Sequence, residues 1–89
     1  MNKHGIIDLC SVFGKVETFA FGHNELVFSV NGSMVLVQNR NELFVRDYES
    51  SSNSKHFCGR SFKKLVNTST SCVLYSIRKA LQMRKQEAI

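Results

Sequence analysis

The chain has 89 residues, with seven Phe, no Pro and no Trp, and a formal net charge of +5. That length bounds it to a single domain, residues 1–89, with a small core of Phe, Leu, Ile and Val. There is no run of about 18 apolar residues, which excludes a transmembrane helix. Met1-Asn2-Lys3-His4 leading into Asp8 does not read as a signal peptide. Cys10, Cys58 and Cys72 are odd in number and widely spaced, without a C-x-x-C pair. This argues against a disulfide framework and for a reducing, cytoplasmic setting.

Ile6, Ile7, Cys10 and Phe13 recur at helical spacing, and Gly14 follows where a C′ glycine would close a helix. The pattern predicts a short amphipathic helix over residues 3–13. Residues 17–46 then read as an uninterrupted antiparallel meander. Its strands are Glu17–Phe21, Leu26–Val30, Met34–Gln38 and Glu42–Arg46, with turns at Gly22-His23-Asn24, Asn31-Gly32 and Asn39-Arg40-Asn41. Asn31-Gly32 is the strongest of these signals, because both central residues of a two-residue type I′ turn need positive φ. Ser50-Ser51-Ser52-Asn53-Ser54 is a polar loop without periodicity. A further strand is placed at Phe62–Val66, with Gly59 as a bulge or turn. Asn67-Thr68-Ser69-Thr70-Ser71 is dense in N-cap residue types and precedes Val73, Leu74, Ile77, Ala80 and Leu81. That stripe predicts a helix from 70 to 86. The expected architecture is α+β: an antiparallel β-meander of four to five strands with a short N-terminal helix and a longer C-terminal helix.

Met34 and Leu36 alternate with Val35 and Val37, and Leu43 and Val45 flank Phe44, so the sheet is apolar on both faces. Such a sheet needs cover on both. Either the two helices take one face each, or both take one face and leave the other to a second subunit. Val35, Val37 and Phe44 are the residues expected on the less covered side, which makes that side the expected surface for a homodimer or another protein.

Catalytic patterns are sparse. His56 and Cys58 share a strand face, the minimal set for a thiolate nucleophile. Yet catalysis needs the two within hydrogen-bond reach and a third group orienting the imidazole, whereas side chains two apart on a strand stand parallel and well separated. A structural cysteine is the preferred reading, and a Cys-based redox or enzymatic domain the alternative. A zinc site would draw on His4, His23, His56, Cys10, Cys58 and Cys72, none of which has the paired short spacing of structural ligands. No phosphate-binding glycine loop, H-E-x-x-H or G-x-S-x-G occurs. The expectation is a protein without catalytic residues, metal or cofactor.

Charge is more informative. Residues 1–54 hold four Lys/Arg against six acids, whereas residues 55–89 hold eight against Glu87 alone. Arg60, Lys63, Lys64, Arg78, Lys79, Arg84 and Lys85 are the candidate residues for an anionic partner. Phe57, Phe62 and Tyr75 lie nearby in sequence, but no recognition-helix, zinc-finger or RNP pattern is present, so contact with DNA would run through phosphates. Positive charge in the second half of a helix also complements its dipole, and that accounts for part of the cluster.

Several segments together resemble the N-terminal domain of the TfoX/Sxy competence regulators. They are Phe21-Gly22, the apolar strand to Val30, Asn31-Gly32, Met34–Val37, and Glu42-Leu43-Phe44-Val45-Arg46. The family pattern is F-G-G-Y-G-L, a short turn, M-F-A-L-V and a closing E-L-Y-L-R. Gly59-Arg60-Ser61-Phe62 is similar to the strand after the loop, and Arg78-Lys79-Ala80-Leu81 to the R-K-A-L of the terminal helix. The resemblance spans nearly the whole chain. It departs at Gly22-His23-Asn24-Glu25, where the family has G-G-Y-G, and at Lys63-Lys64-Leu65, where the family often has a Tyr pair. It implies a cytoplasmic bacterial regulator, without catalytic residues, that acts with the cyclic-AMP receptor protein or transcription machinery to switch on DNA-uptake genes. Direct weak binding of nucleic acid through the basic C-terminal helix is the alternative function.

Overall fold

The computed structural model describes residues 2–48, 55–57 and 59–87, with side chains described as far as Met83. The serine-rich loop at 50–54 and Cys58 lie outside the described residues. The chain order is α1 (Lys3–Ser11), β1 (Val16–Phe21), β2 (Glu25–Val30), β3 (Ser33–Asn39), β4 (Glu42–Arg46), β5 (Lys55–Phe57), β6 (Arg60–Lys64) and α2 (Thr70–Glu87). The domain is α+β, one helix at each end of an antiparallel sheet ordered β1-β2-β3-β4-β6-β5.

Local chemistry accounts for most boundaries. Asn2 caps α1, its Oδ1 accepting the Gly5 N–H at 2.8 Å. The helix closes at Ser11, two residues before the sequence expectation, because the chain already turns at Val12 and Phe13 toward β1. Asn31 and Gly32 sit at φ 52° and 83°, the paired positive values that a type I′ turn requires. Asn31 has a second role that its turn position does not announce. Its Oδ1 accepts the Lys15 N–H at 2.9 Å while its own N–H donates to the Lys15 carbonyl at 2.8 Å. The β2–β3 turn thereby clasps the link between α1 and β1. Gly14 packs against the Asn31 amide so closely that a Cβ there would overlap it.

Both helices lie on the same face of the sheet. Ile6 and Cys10 of α1 and Val73, Ile77 and Ala80 of α2 pack with Phe28, Val30, Leu36, Leu43 and Val45. Val35 joins this cluster, and the reason is a bulge. Phe28 pairs with Leu36 and Ser29 with Met34, so Val35 is the extra residue and turns to the same side as Leu36. Simple alternation, which sets Val35 beside Val37, fails at that point.

Val27, Val37, Phe44 and Phe62 form a second buried cluster on the opposite face, with Met34 and Phe57 packed against it. No helix covers it. The cover is the β5–β6 hairpin: the Phe57 ring centroid lies 5.7 Å from those of both Phe44 and Phe62, and the Lys55 ammonium sits 4.9 Å above the Phe44 ring. Of the residues expected on a homodimer surface, Val35 is buried on the helix-covered face, and Val37 and Phe44 are buried on the opposite one.

The hairpin also corrects the strand count and one strand position. β5, three residues long, raises the total to six strands. Gly59, at φ 75°, sits in its turn, and Phe57 pairs with Arg60, so β6 begins at Arg60 rather than Phe62. Pairing of Phe62 with Arg46 and Lys64 with Phe44 sets the far end. Val66, expected in the strand, is instead 95% exposed.

Candidate anionic-partner interface

The basic residues are sorted by two periodicities. On α2, Val73, Ile77 and Ala80 point into the core, which turns Tyr75, Arg78, Lys79 and Gln82 outward. On β6, side chains alternate between faces. Lys63 pairs with Val45 and so shares the helix-covered face, whereas Lys64 pairs with Phe44 and Arg60 with Phe57, on the other face. The seven sequence candidates thus do not form one field. Lys63 and Lys79 come together, Arg78 lies beside Lys79 along α2, and Lys64 and Arg60 are separated from them by the sheet. Arg84 and Lys85 lie beyond the side chains that the structure describes.

Lys64 is also engaged locally. Its Nζ lies 2.7 Å from Glu42 Oε2, and this hydrogen-bonded cation holds the Glu42 carboxyl below the ordinary carboxylate range. Both side chains are about half exposed, so the pair adds little to stability.

Lys63 and Lys79 line a cleft of about 130 Å³ between α2 and the end of β4, together with Arg46, Asp47, Tyr48 and Tyr75. Arg46 lies at its edge: strand alternation starts its side chain on the face of its pair Phe62, whose ring centre is 6.0 Å from the guanidinium. Its Nη1 donates to the Asp47 carbonyl at 2.7 Å and to the Ser61 carbonyl at 3.0 Å, and its guanidinium lies 4.3 Å from the centre of the Tyr48 ring. The cleft is thus lined by two lysines on flexible stems and two tyrosines, with Arg46 at its edge and one carboxylate residue, Asp47. That set suits an anionic side chain, which the lysines reach as point charges and the tyrosines contact by ring and hydroxyl. Sequence reasoning missed Arg46 and Tyr48. The available signal was a cation ending the apolar run Leu43-Phe44-Val45, with an aromatic, Tyr48, two residues on.

The cysteine–histidine reading gains no geometry from the structure. His56 Nδ1 lies 3.3 Å from Ser61 Oγ, and Cys58 is outside the described residues. Among the described residues no group of three or more His, Cys, Asp or Glu side chains gathers closely enough to hold a metal ion. No helix among them is long and apolar enough to cross a membrane.

Cys10 faces the core from α1, packed with α2 and the sheet, and burial pushes its thiol up to about 11. The raised value favours the protonated, folded form. Stability from this source is complete below the ordinary thiol value of 9.0 and is lost as the pH climbs from there through about 11, because only the unfolded thiol ionises freely. Thermal melts across that window should fall more steeply for the native chain than for Cys10→Ala. Thiol reagent at neutral pH should label half-buried Cys72 well before Cys10. Equal labelling rates would place Cys10 outside the core.

Comparison with protein-family models, curated proteins and solved structures finds no match to this chain. The resemblance to TfoX/Sxy domains rests on the short sequence motifs alone.

Proposed function

We propose that this domain is a non-enzymatic regulatory module that docks an acidic protein surface on α2 and the adjoining cleft. The observation that carries the reading is the convergence of Lys63 and Lys79 on one cleft with Tyr48 and Tyr75, with Arg46 at its edge. Concave sites that place a few fixed polar groups among aromatic walls select individual side chains, and Arg and Tyr are the residues that anchor protein interfaces. The motif resemblance supplies the biological setting: a cytoplasmic co-regulator of competence genes whose partner is the cyclic-AMP receptor protein or the transcription machinery.

The second reading is direct, weak contact with nucleic acid. It draws on Arg78, which lines a shallow groove on the outer side of α2 with Tyr75, Lys79, Gln82 and Met83. The split of the basic residues weighs against it, since Lys64 and Arg60 sit on the far side of the sheet and add nothing to a phosphate track along α2.

Titration with purified cyclic-AMP receptor protein and, in parallel, with a random DNA duplex distinguishes the two. The regulatory reading expects protein binding that the double variant Lys63→Glu, Lys79→Glu weakens by roughly tenfold or more through slower association, at an unchanged melting temperature. Equal binding by the native chain and the variant, or no binding by either, overturns that reading. The nucleic-acid reading prevails if the duplex binds instead. Its log K should then fall against log salt by about 0.9 per phosphate neutralised, with roughly two phosphates fewer in the variant.

A further inference from the structure

We propose that β1 is a self-association edge: two copies pair their β1 strands antiparallel about a two-fold axis at Thr18, joining two sheets into one continuous sheet. The proposal is independent of the basic cleft. Among the described residues β1 is the outermost strand on its side of the sheet and pairs only with β2. It is six residues long, whereas β5 at the opposite edge has three. An open strand edge is a template for another extended strand, and natural sheets blunt it with Pro, with a bulge or with charged side chains, Lys above all; the one charge on β1 is Glu17. Val16-Glu17-Thr18-Phe19-Ala20-Phe21 contains no Pro and no Lys, and its pairing with β2 runs without a register shift.

The ladder shows which residues face outward. The Lys15 carbonyl accepts the Asn31 N–H, so Lys15 points its backbone toward β2, and by the two-residue repeat of an antiparallel ladder so do Glu17, Phe19 and Phe21. The Asn24 carbonyl accepts from Arg40 on β3's side, which gives the same parity from the other edge of β2. Val16, Thr18 and Ala20 therefore aim their N–H and C=O groups away from the sheet. Beside them Phe19 and Phe21, 47% and 38% exposed, stand on the face away from the helices and form an open apolar groove with Met34.

Among occupants, a second copy is selected by self-complementarity. A two-fold axis normal to the sheet keeps like faces together, which permits only registers centred on a residue. Centred on Glu17, two carboxylates face each other. Centred on Phe19, Val16 falls opposite Gly22, which sits in the turn at φ 61°. Centred on Thr18, all three outward residues are paired, Val16 with the partner's Ala20 and Thr18 with itself. In that register Glu17 faces the partner's Phe19, and Lys15 lies over the partner's Phe21 as a cation over a ring.

Sedimentation of the native chain from about 5 to about 500 µM tests the proposal, since a small strand-edge interface associates weakly. The expected result is a mass rising from one chain toward two. Ala20→Pro removes a donor that only the dimer uses and should weaken association at least tenfold while the far-ultraviolet circular dichroism stays native. Thr18→Lys sets two like charges face to face on the axis and should do the same, and it decides the matter if the proline variant fails to fold. A native chain that keeps the mass of one chain throughout overturns the proposal. So does a folded Ala20→Pro or Thr18→Lys variant that associates as tightly as the native chain, whether another surface or a foreign peptide then uses the groove.

Discussion

Phe44→Ala is expected to remove about 3–5 kcal/mol of stability, a large share of what a domain this size holds. Phe44 lies on a sheet face that no helix touches, yet it is buried, because Phe57 and Lys55 of the β5–β6 hairpin close over it. Truncation would lose the transfer free energy of the ring and leave a cavity among Val27, Val37 and Phe62. The comparison variant is Phe19→Ala, on the same face but about half exposed, where the loss should stay below about 1 kcal/mol. Urea unfolding of the two variants gives the answer. Similar midpoints would mean that the hairpin does not cover the sheet and that Phe44 is as wet as Phe19.

Gly32→Val is expected to cost about 1–3 kcal/mol, entirely through the backbone. Nothing lies within 4 Å of a Cβ built at Gly32, so sterics with the rest of the molecule play no part. The cost comes from holding a β-branched residue at φ 83°. Gly32→Asn should recover most of the loss, since Asn tolerates the left-handed region. A denaturant midpoint unmoved by Val would show that the β2–β3 turn is not the one described. The turn matters beyond the hairpin. Asn31 also holds Lys15, and with it the entry into β1, so loosening the turn should free the edge strand as well.

The four meander strands and both helices are legible in the sequence because their signals are local. Asn31-Gly32 demands a type I′ turn whatever surrounds it, and Val73, Ile77 and Ala80 repeat with the helix period whatever they pack against. β5 is illegible for the same reason. Lys55-His56-Phe57 is too short to show a period of two, and it becomes a strand only because β6 supplies a partner for each residue. The position of β6 follows suit, since its register depends on Gly59 and on pairing with β4 across the sheet.

The candidate site divides along the same line. That the last third of the chain is basic is a matter of counting, and it points correctly to α2 and β6 as the charged elements. Which charges meet is a matter of faces. A single alternation along β6 sends Lys63 toward α2 and Lys64 to Glu42 on the other side. Arg46, distant in sequence from Lys79, borders the cleft only because β4 ends beneath α2.

The amino-acid order alone determines an α+β domain with two helices, tight hairpins and a basic end, because backbone preference and side-chain period act within a few residues. The tertiary structure alone decides the rest. Whether both helices share one face, where the Val35 bulge turns a side chain, what closes over Phe44 and which edge stays open all depend on contacts between residues far apart in the chain. Such contacts form only where burial of both partners outweighs the entropy of closing the loop between them.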